Sequence, residues 1–188
     1  MGGPTNETDG FWRRSRQGSR TTQVTYPRWS QDHAEIEEPN MSVFDAPYEP
    51  SPWEPIAQEV ARYERTDGSE PSDLVGDSWI ILWTLGARTG NVRKTPLVRV
   101  ADGEGRYAVI GSMGGAPTHP QWVHNIRASP VVRLQDGGTL DEFTVREVDG
   151  DEKATWWSRA VAVWPDYDNY QASTERRIPL FVLEPVGA

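Results

Sequence analysis

The stretch from Gly111 to Pro130 places the tightest constraint on how this chain can fold. A strand-like run, Arg106 to Ile110, leads into Gly-Ser-Met-Gly-Gly-Ala-Pro, and the residues beyond predict a short helix from about Pro120 to Ala128. Gly114 and Gly115 can take positive φ and carry no side chain, so the chain can turn sharply and let a flat ligand approach its backbone. Amides at the start of the following helix favour negative charge near that spot. By themselves the two glycines favour the plainer reading, a turn.

The rest of the chain is arranged around this loop as strands with few helices. Residues 1 to 40 are polar, mixed in charge and poor in aliphatic side chains, a composition that predicts disorder. At Met41 the texture changes, which suggests it as the native start, and residues 41–53 read as an extended, proline-rich arm carrying Phe44, Tyr48 and Trp53. Ile56, Val60 and Tyr63 recur at helical spacing from Glu54 to Glu64. Ser78 to Leu85 is β-branched and aromatic, a strand buried on both faces. Gly86-Ala-Arg-Thr-Gly-Asn turns into a strand from Val92 to Val100, and Asp102-Gly-Glu-Gly turns again into Tyr107 to Ser112.

Beyond the loop, Val131 to Leu134 and Glu142 to Val148 predict a second hairpin, with Phe143, Val145 and Glu147 on one side. Asp149-Gly-Asp-Glu opens a helix whose apolar face is read as Ala154, Trp157, Val161 and Trp164, and Pro165 stops it. Ile178 to Leu183 is a closing strand. Antiparallel strands without regular βαβ alternation fit a small closed β-barrel with flanking helices, a mainly β, α+β chain.

Composition removes several function classes. With no cysteine in 188 residues, thiolate nucleophiles, disulfides and Cys-based metal sites are excluded. A formal net charge of −9 argues against a nucleic-acid partner and against a polybasic hold on anionic lipid. No apolar run reaches the length of a membrane span, and Arg13-Arg14 is followed by no apolar signal core, so the chain is expected to be cytoplasmic. The helix from Glu54 leaves peripheral contact with a lipid surface open. Nine tryptophans suit a site for a planar ligand, a core or an interface.

The side chains able to do chemistry gather in a few places. Arg88, Thr89, Arg93, Lys94 and Thr95 cluster about the first hairpin turn, where cations and hydroxyls could clamp a phosphate or carboxylate, or simply form a solvated tip. His119 and His124 lie five apart and do not share a helix face, which disfavours a metal site. Neither a nucleophile elbow nor a dinucleotide fingerprint occurs; Ser112 could instead donate a hydrogen bond to a ring carbonyl or nitrogen. Trp164, Tyr167 and Tyr170, at spacing three, would share a helix face as a pocket wall or as core.

Four segments together resemble the deazaflavin-dependent nitroreductase and quinone reductase family of actinobacteria, which uses coenzyme F420. They are Thr89-Gly-Asn-Val-Arg-Lys-Thr-Pro-Leu, Ser112 to Pro130, Trp164-Pro-Asp-Tyr-Asp-Asn-Tyr-Gln and Ile178-Pro-Leu-Phe-Val-Leu-Glu-Pro, in matching order from about residue 54 to the end. The resemblance implies a split β-barrel of flavin-reductase type over 54–188. In it Arg88, Thr89, Arg93, Lys94, Thr95 and Pro96 on the hairpin, with Ser112, Met113, Gly114 and Gly115 in the loop, hold the coenzyme. Trp122 and Asn125 match positions near the coenzyme, and Tyr167 and Tyr170 match positions lining the acceptor pocket. Met113 stands where some relatives carry lysine, and Trp164 where some carry tyrosine.

The implied activity is hydride transfer from reduced coenzyme F420 to a quinone-like or nitroaromatic acceptor. Ser112, Tyr167 and Tyr170 are the residues placed at the chemistry, and no metal is involved. Two other readings of the same barrel stand beside it: an FMN-holding reductase or oxidase, and a non-catalytic deazaflavin binder. The natural acceptor and the oligomeric state stay open.

Overall fold

The structure is a computed structural model that describes residues 42–187; the disorder expected for 1–40, with His33 in it, and the suggested start at Met41 lie outside the described residues. Seven strands form one antiparallel sheet: β1 (Trp79–Leu85), β2 (Val92–Val98), β3 (Val100–Ala101), β4 (Tyr107–Ile110), β5 (Val131–Asp136), β6 (Thr139–Val148) and β7 (Leu180–Pro185). Four helices flank it: α1 (Glu54–Thr66), α2 (Gln121–Ala128), α3 (Gly150–Val163) and α4 (Asp166–Ala172).

The spatial order is β2-β1-β5-β6-β7-β4-β3. Only Arg99 separates β2 from β3 in sequence, yet the two lie at opposite ends of that order. One bent segment therefore belongs to both edges, and the sheet must curl until they meet. This is the split β-barrel expected, with one correction: the strand read as continuous from Val92 to Val100 breaks at Arg99 and changes neighbours there. The Arg99 guanidinium is held at the break by Asp136 at the end of β5, 2.9 and 2.8 Å from its two carboxylate oxygens.

Alternation along the strands produces two apolar faces. On β7, Phe181 and Leu183 join Ile80, Leu82, Val132, Leu134, Phe143 and Val145 against Trp122, Val123 and Ile126 of α2. Leu180 and Val182 point the other way, to Val98, Val100, Ala108, Ile110 and Val148 under α3 and α4. Glu147 lies on the Phe143 and Val145 side as expected, but at the exposed end, where Arg127 of α2 donates to its two oxygens at 3.0 and 2.9 Å.

The face read for α3 needs correcting. Trp156 and Ala160 are its buried residues, Trp157 and Val161 flank them, and Ala154 is exposed. Trp164 caps the end of α3 rather than sharing a helix with Tyr167 and Tyr170, because Pro165 separates α3 from α4. The helix from Glu54 follows its periodicity more closely: Val60 and Tyr63 are buried against Trp79 and Ile81, and Asp67 closes it in a left-handed conformation at φ 48°.

Ahead of α1, the proline-rich segment lies along β2. Its Phe44 is buried, the Val92 N–H donates to Pro47 O at 2.9 Å, and the Glu49 N–H donates to Val92 O at 2.9 Å. This adds a short parallel bridge at Tyr48 and leads Trp53, 59% exposed, to the start of α1.

Candidate functional site

The turn between β1 and β2 is tight for local reasons. Gly86 N–H donates to Asn91 O at 2.8 Å, Gly90 N–H returns to Gly86 O at 2.7 Å, and Gly90 takes φ 70°, where a side chain would be strained. The turn is tied to α2 by Asn125, which is buried. Its Oδ1 accepts from the Ala87 N–H at 3.0 Å, and its Nδ2 donates to Thr84 Oγ1 at 3.0 Å. Both ends of the Asn125 amide are thus engaged inside the protein.

Between β4 and α2 the loop makes three consecutive left-handed steps: Met113 at φ 48°, Gly114 at 62° and Gly115 at 81°. Only glycine adopts this conformation cheaply, so Met113 is strained there. With Ser112 right-handed and Met113 left-handed, successive amides turn toward one point, a concavity that suits an anion. Gly115 and Ala116 N–H groups are spent on Ser112 O and Met113 O, at 3.0 and 3.1 Å, while those of Met113 and Gly114 stay outside the loop's own hydrogen bonds. A side chain at Gly114 would meet nothing within 4 Å, whereas one at Gly115 would run into Ser173 and Tyr170 of the α4 region. Gly114 therefore leaves space open, and Gly115 lets the loop pack against α4.

A residue the sequence did not single out fixes this loop. Arg176 donates to Gly111 O at 3.0 Å, to Ala116 O at 2.6 Å and to Ser112 O. It also meets His119 Nδ1 at 3.1 Å. Because a guanidinium can only donate, that nitrogen must be the acceptor, so neutral His119 carries its proton on Nε2. Burial and the neighbouring Arg176 hold the His119 pKa below its ordinary value.

These elements surround a cavity of about 800 Å³. Arg88, Thr89, Arg93, Lys94, Thr95 and Pro96 line it from the hairpin. Ser112, Met113 and Gly114 line it from the loop, Trp122 and Asn125 from α2, and Tyr167 and Tyr170 from α4. Gly115 is the one expected site residue outside the wall. The cavity also takes in residues the sequence did not point to: Ser51, Pro52 and Trp53 before α1, Ile56 on it, and Leu74 and Val75 after it.

Polarity divides the cavity. The hairpin supplies Arg88, Arg93 and Lys94, and among the described residues no Asp or Glu lines the wall. Lys94 lies 3.8 Å from the centre of the Trp83 ring and 4.5 Å from that of Tyr48, and pairs with Glu64 of α1. Arg93 pairs with Glu49, while Arg88 is exposed and in no ion pair among the described residues. Elsewhere Trp53, Ile56, Leu74, Val75 and Trp164 supply apolar surface. Tyr167 is buried, and burial, followed by the neighbouring Tyr170, pushes its phenol well above the ordinary value, so it is neutral at physiological pH. Trp164 Nε1 lies 3.4 Å from the Tyr170 hydroxyl.

Basic groups at a hairpin, an amide concavity and an aromatic, apolar wall suit a long ligand with an acidic end and a flat ring. A planar ring could rest on Gly114, where nothing stands within 4 Å of a would-be Cβ, so the residues present fit a deazaflavin coenzyme.

Residues 56–185 match the profile of the F420H(2)-dependent quinone reductase family. An F420H(2)-dependent quinone reductase of Mycobacterium tuberculosis is 34% identical over 122 residues, 63% of this chain and 76% of the relative. Among solved structures, an F420-H2 dependent reductase, FDR-A, is 42% identical with a TM-score of 0.54, over 56% of this chain and 93% of that one. A protein described as a domain-swapped dimer is 36% identical with a TM-score of 0.56, over 68% of this chain and 96% of its own. By fold and by sequence, the chain belongs to the F420H(2)-dependent quinone reductase family.

Proposed function

We propose that this chain binds reduced coenzyme F420 in the cavity, acidic tail toward the hairpin and ring over the glycine loop, and delivers its hydride to a quinone-like or other electron-poor acceptor. Charge is the observation that carries the reading: in a protein of formal net charge −9, the cavity wall holds Arg88, Arg93 and Lys94 and, among the described residues, no carboxylate, the Glu49 and Glu64 that pair with Arg93 and Lys94 standing outside it. Three cations at one end of the cavity, with Arg88 in no ion pair among the described residues, suit a ligand that is itself an acid.

When bound, the reduced deazaflavin supplies the hydride. The protein's share is alignment and polarity. Thr89, Thr95 and the hairpin cations hold the acidic end. Met113 and Gly114 amides and the Ser112 hydroxyl face developing charge on the ring. Neutral Tyr167 can give a hydrogen bond, or its proton, to the acceptor oxygen, with Tyr170 beside it at a ring-centre distance of 6.2 Å. Trp53, Ile56, Leu74 and Val75 give an apolar acceptor a surface and keep water from the transfer.

No helix among the described residues is long and apolar enough to cross a membrane. Cytoplasmic location belongs to the proposal, and the exposed Trp53 beside the cavity is where peripheral contact with lipid would occur. The test is anaerobic mixing of the protein with reduced coenzyme F420 and menadione. Catalytic return of the oxidised coenzyme's visible absorbance, matched by menadione loss, is expected. Binding without turnover on menadione or a nitroaromatic would contradict the reading and leave a coenzyme-binding protein.

A further inference from the structure

Two of the three hairpin cations, Arg93 and Lys94, are already in contact with carboxylates of the chain itself. Glu49 is the centre of this arrangement. One of its oxygens pairs with Arg93 Nη2, and the other accepts from Asn91 Nδ2 at 3.0 Å and from Thr89 Oγ1 at 3.4 Å. Guanidinium, amide and hydroxyl converge on one carboxylate as they would on a carboxylate or phosphate of a ligand. Asn91, ahead of Arg93, holds the Glu49 carboxyl below its ordinary range. The side chains are 40% and 27% exposed for Glu49 and Arg93, so the pair meets solvent and can exchange partners.

Arg93 does not depend on that carboxylate for its position. Its Nη1 donates separately to the backbone oxygens of Glu49 and Pro50, at 3.3 and 3.2 Å. Removing the carboxylate charge would leave the guanidinium in place with its field uncancelled. Two residues further on, Ser51 to Trp53 form part of the cavity wall that Arg93 also lines, so the carboxylate sits at the border of the site.

We propose that Glu49 is an internal competitor for the hairpin anion site, and that an acidic ligand tail must take Arg93, Asn91 and Thr89 from it. Glu49 thereby sets affinity for the charged tail and leaves recognition of the ring untouched. The identity of the tail rests on the coenzyme F420 reading; the competition itself requires only an anion.

The experiment is a fluorescence titration of the full chain and of Glu49→Gln, which keeps shape and polarity without the charge, with Glu49→Ala as a second variant. Oxidised coenzyme F420 is compared with its phosphate-free ring and ribityl core, and with inorganic pyrophosphate as a probe independent of the coenzyme. An exposed ion pair of ordinary strength corresponds to roughly a twofold to fivefold change in affinity. Coenzyme and pyrophosphate should each bind Glu49→Gln about that much more tightly. The core should bind equally, and the gain should vanish in 1 M salt, where the screening length is about 3 Å. Adding Arg93→Ala should abolish the gain.

Unchanged or weaker coenzyme binding in both variants would overturn the proposal and make Glu49 a positioning residue for Arg93. If no form binds the coenzyme, the functional reading fails alone, and pyrophosphate decides: a gain on Glu49→Gln upholds the competition, and no gain overturns it.

Discussion

The Arg176 guanidinium lies 3.0 Å from the carbonyl oxygen of Gly111, across 65 residues of sequence, and the same group reaches Ser112 O and Ala116 O. One side chain just ahead of β7 thus holds the loop on which the ring is proposed to rest. Arg176→Ala should cost about 2–3 kcal/mol, since charged hydrogen bonds are lost and carbonyls are left unpaired. Urea denaturation reads that cost. Coenzyme affinity should fall further in Arg176→Ala than in Arg176→Lys, which keeps one donor group.

Asn125 gives a prediction of a different kind. With Ala87 and Thr84 occupying its amide, its first duty is to join α2 to the hairpin turn. Asn125→Ala should lower stability by about 1–3 kcal/mol. Thr84→Val should cost less, by leaving only Nδ2 unpaired. If Asn125→Ala left unfolding unchanged while weakening coenzyme binding, Asn125 would be a direct ligand contact instead.

His119 makes stability depend on acid. Its pKa is lowered in the folded state, so the unfolded chain binds the extra proton first. The contribution is complete above the ordinary value of 6.5 and is lost as pH falls below it toward the folded pKa. The thermal midpoint should drop between pH 7 and 5, and His119→Gln should flatten that part of the profile.

Tyrosines act at the other end of the scale. Burial raises the phenol pKa of Tyr48, Tyr63, Tyr107 and Tyr167 above 10.0. Their contribution is present below the unfolded value of 10 and is lost as pH rises through the folded values, so alkaline unfolding should begin above pH 10. For catalysis, Tyr167 should contribute no ionisation to the rate profile between about pH 6 and 9. Tyr167→Phe should lower kcat/KM by about tenfold without shifting that profile.

Local signals carried much of the fold. Gly86 to Asn91 marks the first hairpin, the spacing of Ile56, Val60 and Tyr63 marks α1, and Gly114-Gly115 marks the left-handed loop. The sequence did not reveal pairings between distant segments: Arg176 with Gly111, Glu49 with Arg93, Asn125 with Thr84. No periodicity encodes such contacts. The spacing does not fix the face of α3 because apolar residues at 154, 156, 157, 160, 161, 162 and 163 nearly encircle the helix. The break at Arg99 was hidden because Val98 and Val100 are equally strand-like. Only closure of the sheet requires the strand to change neighbours there.

The most direct test of the account is an equilibrium titration of the full chain with oxidised coenzyme F420 and, in parallel, FMN, read by tryptophan fluorescence, repeated on Arg88→Ala. Arg88 is the hairpin cation in no ion pair among the described residues, so its loss should disturb binding more than folding. Preference for coenzyme F420 is expected, with about threefold to tenfold weaker binding in Arg88→Ala and an unchanged melting point. Preference for FMN, or coenzyme F420 binding that Arg88→Ala leaves untouched, would contradict it.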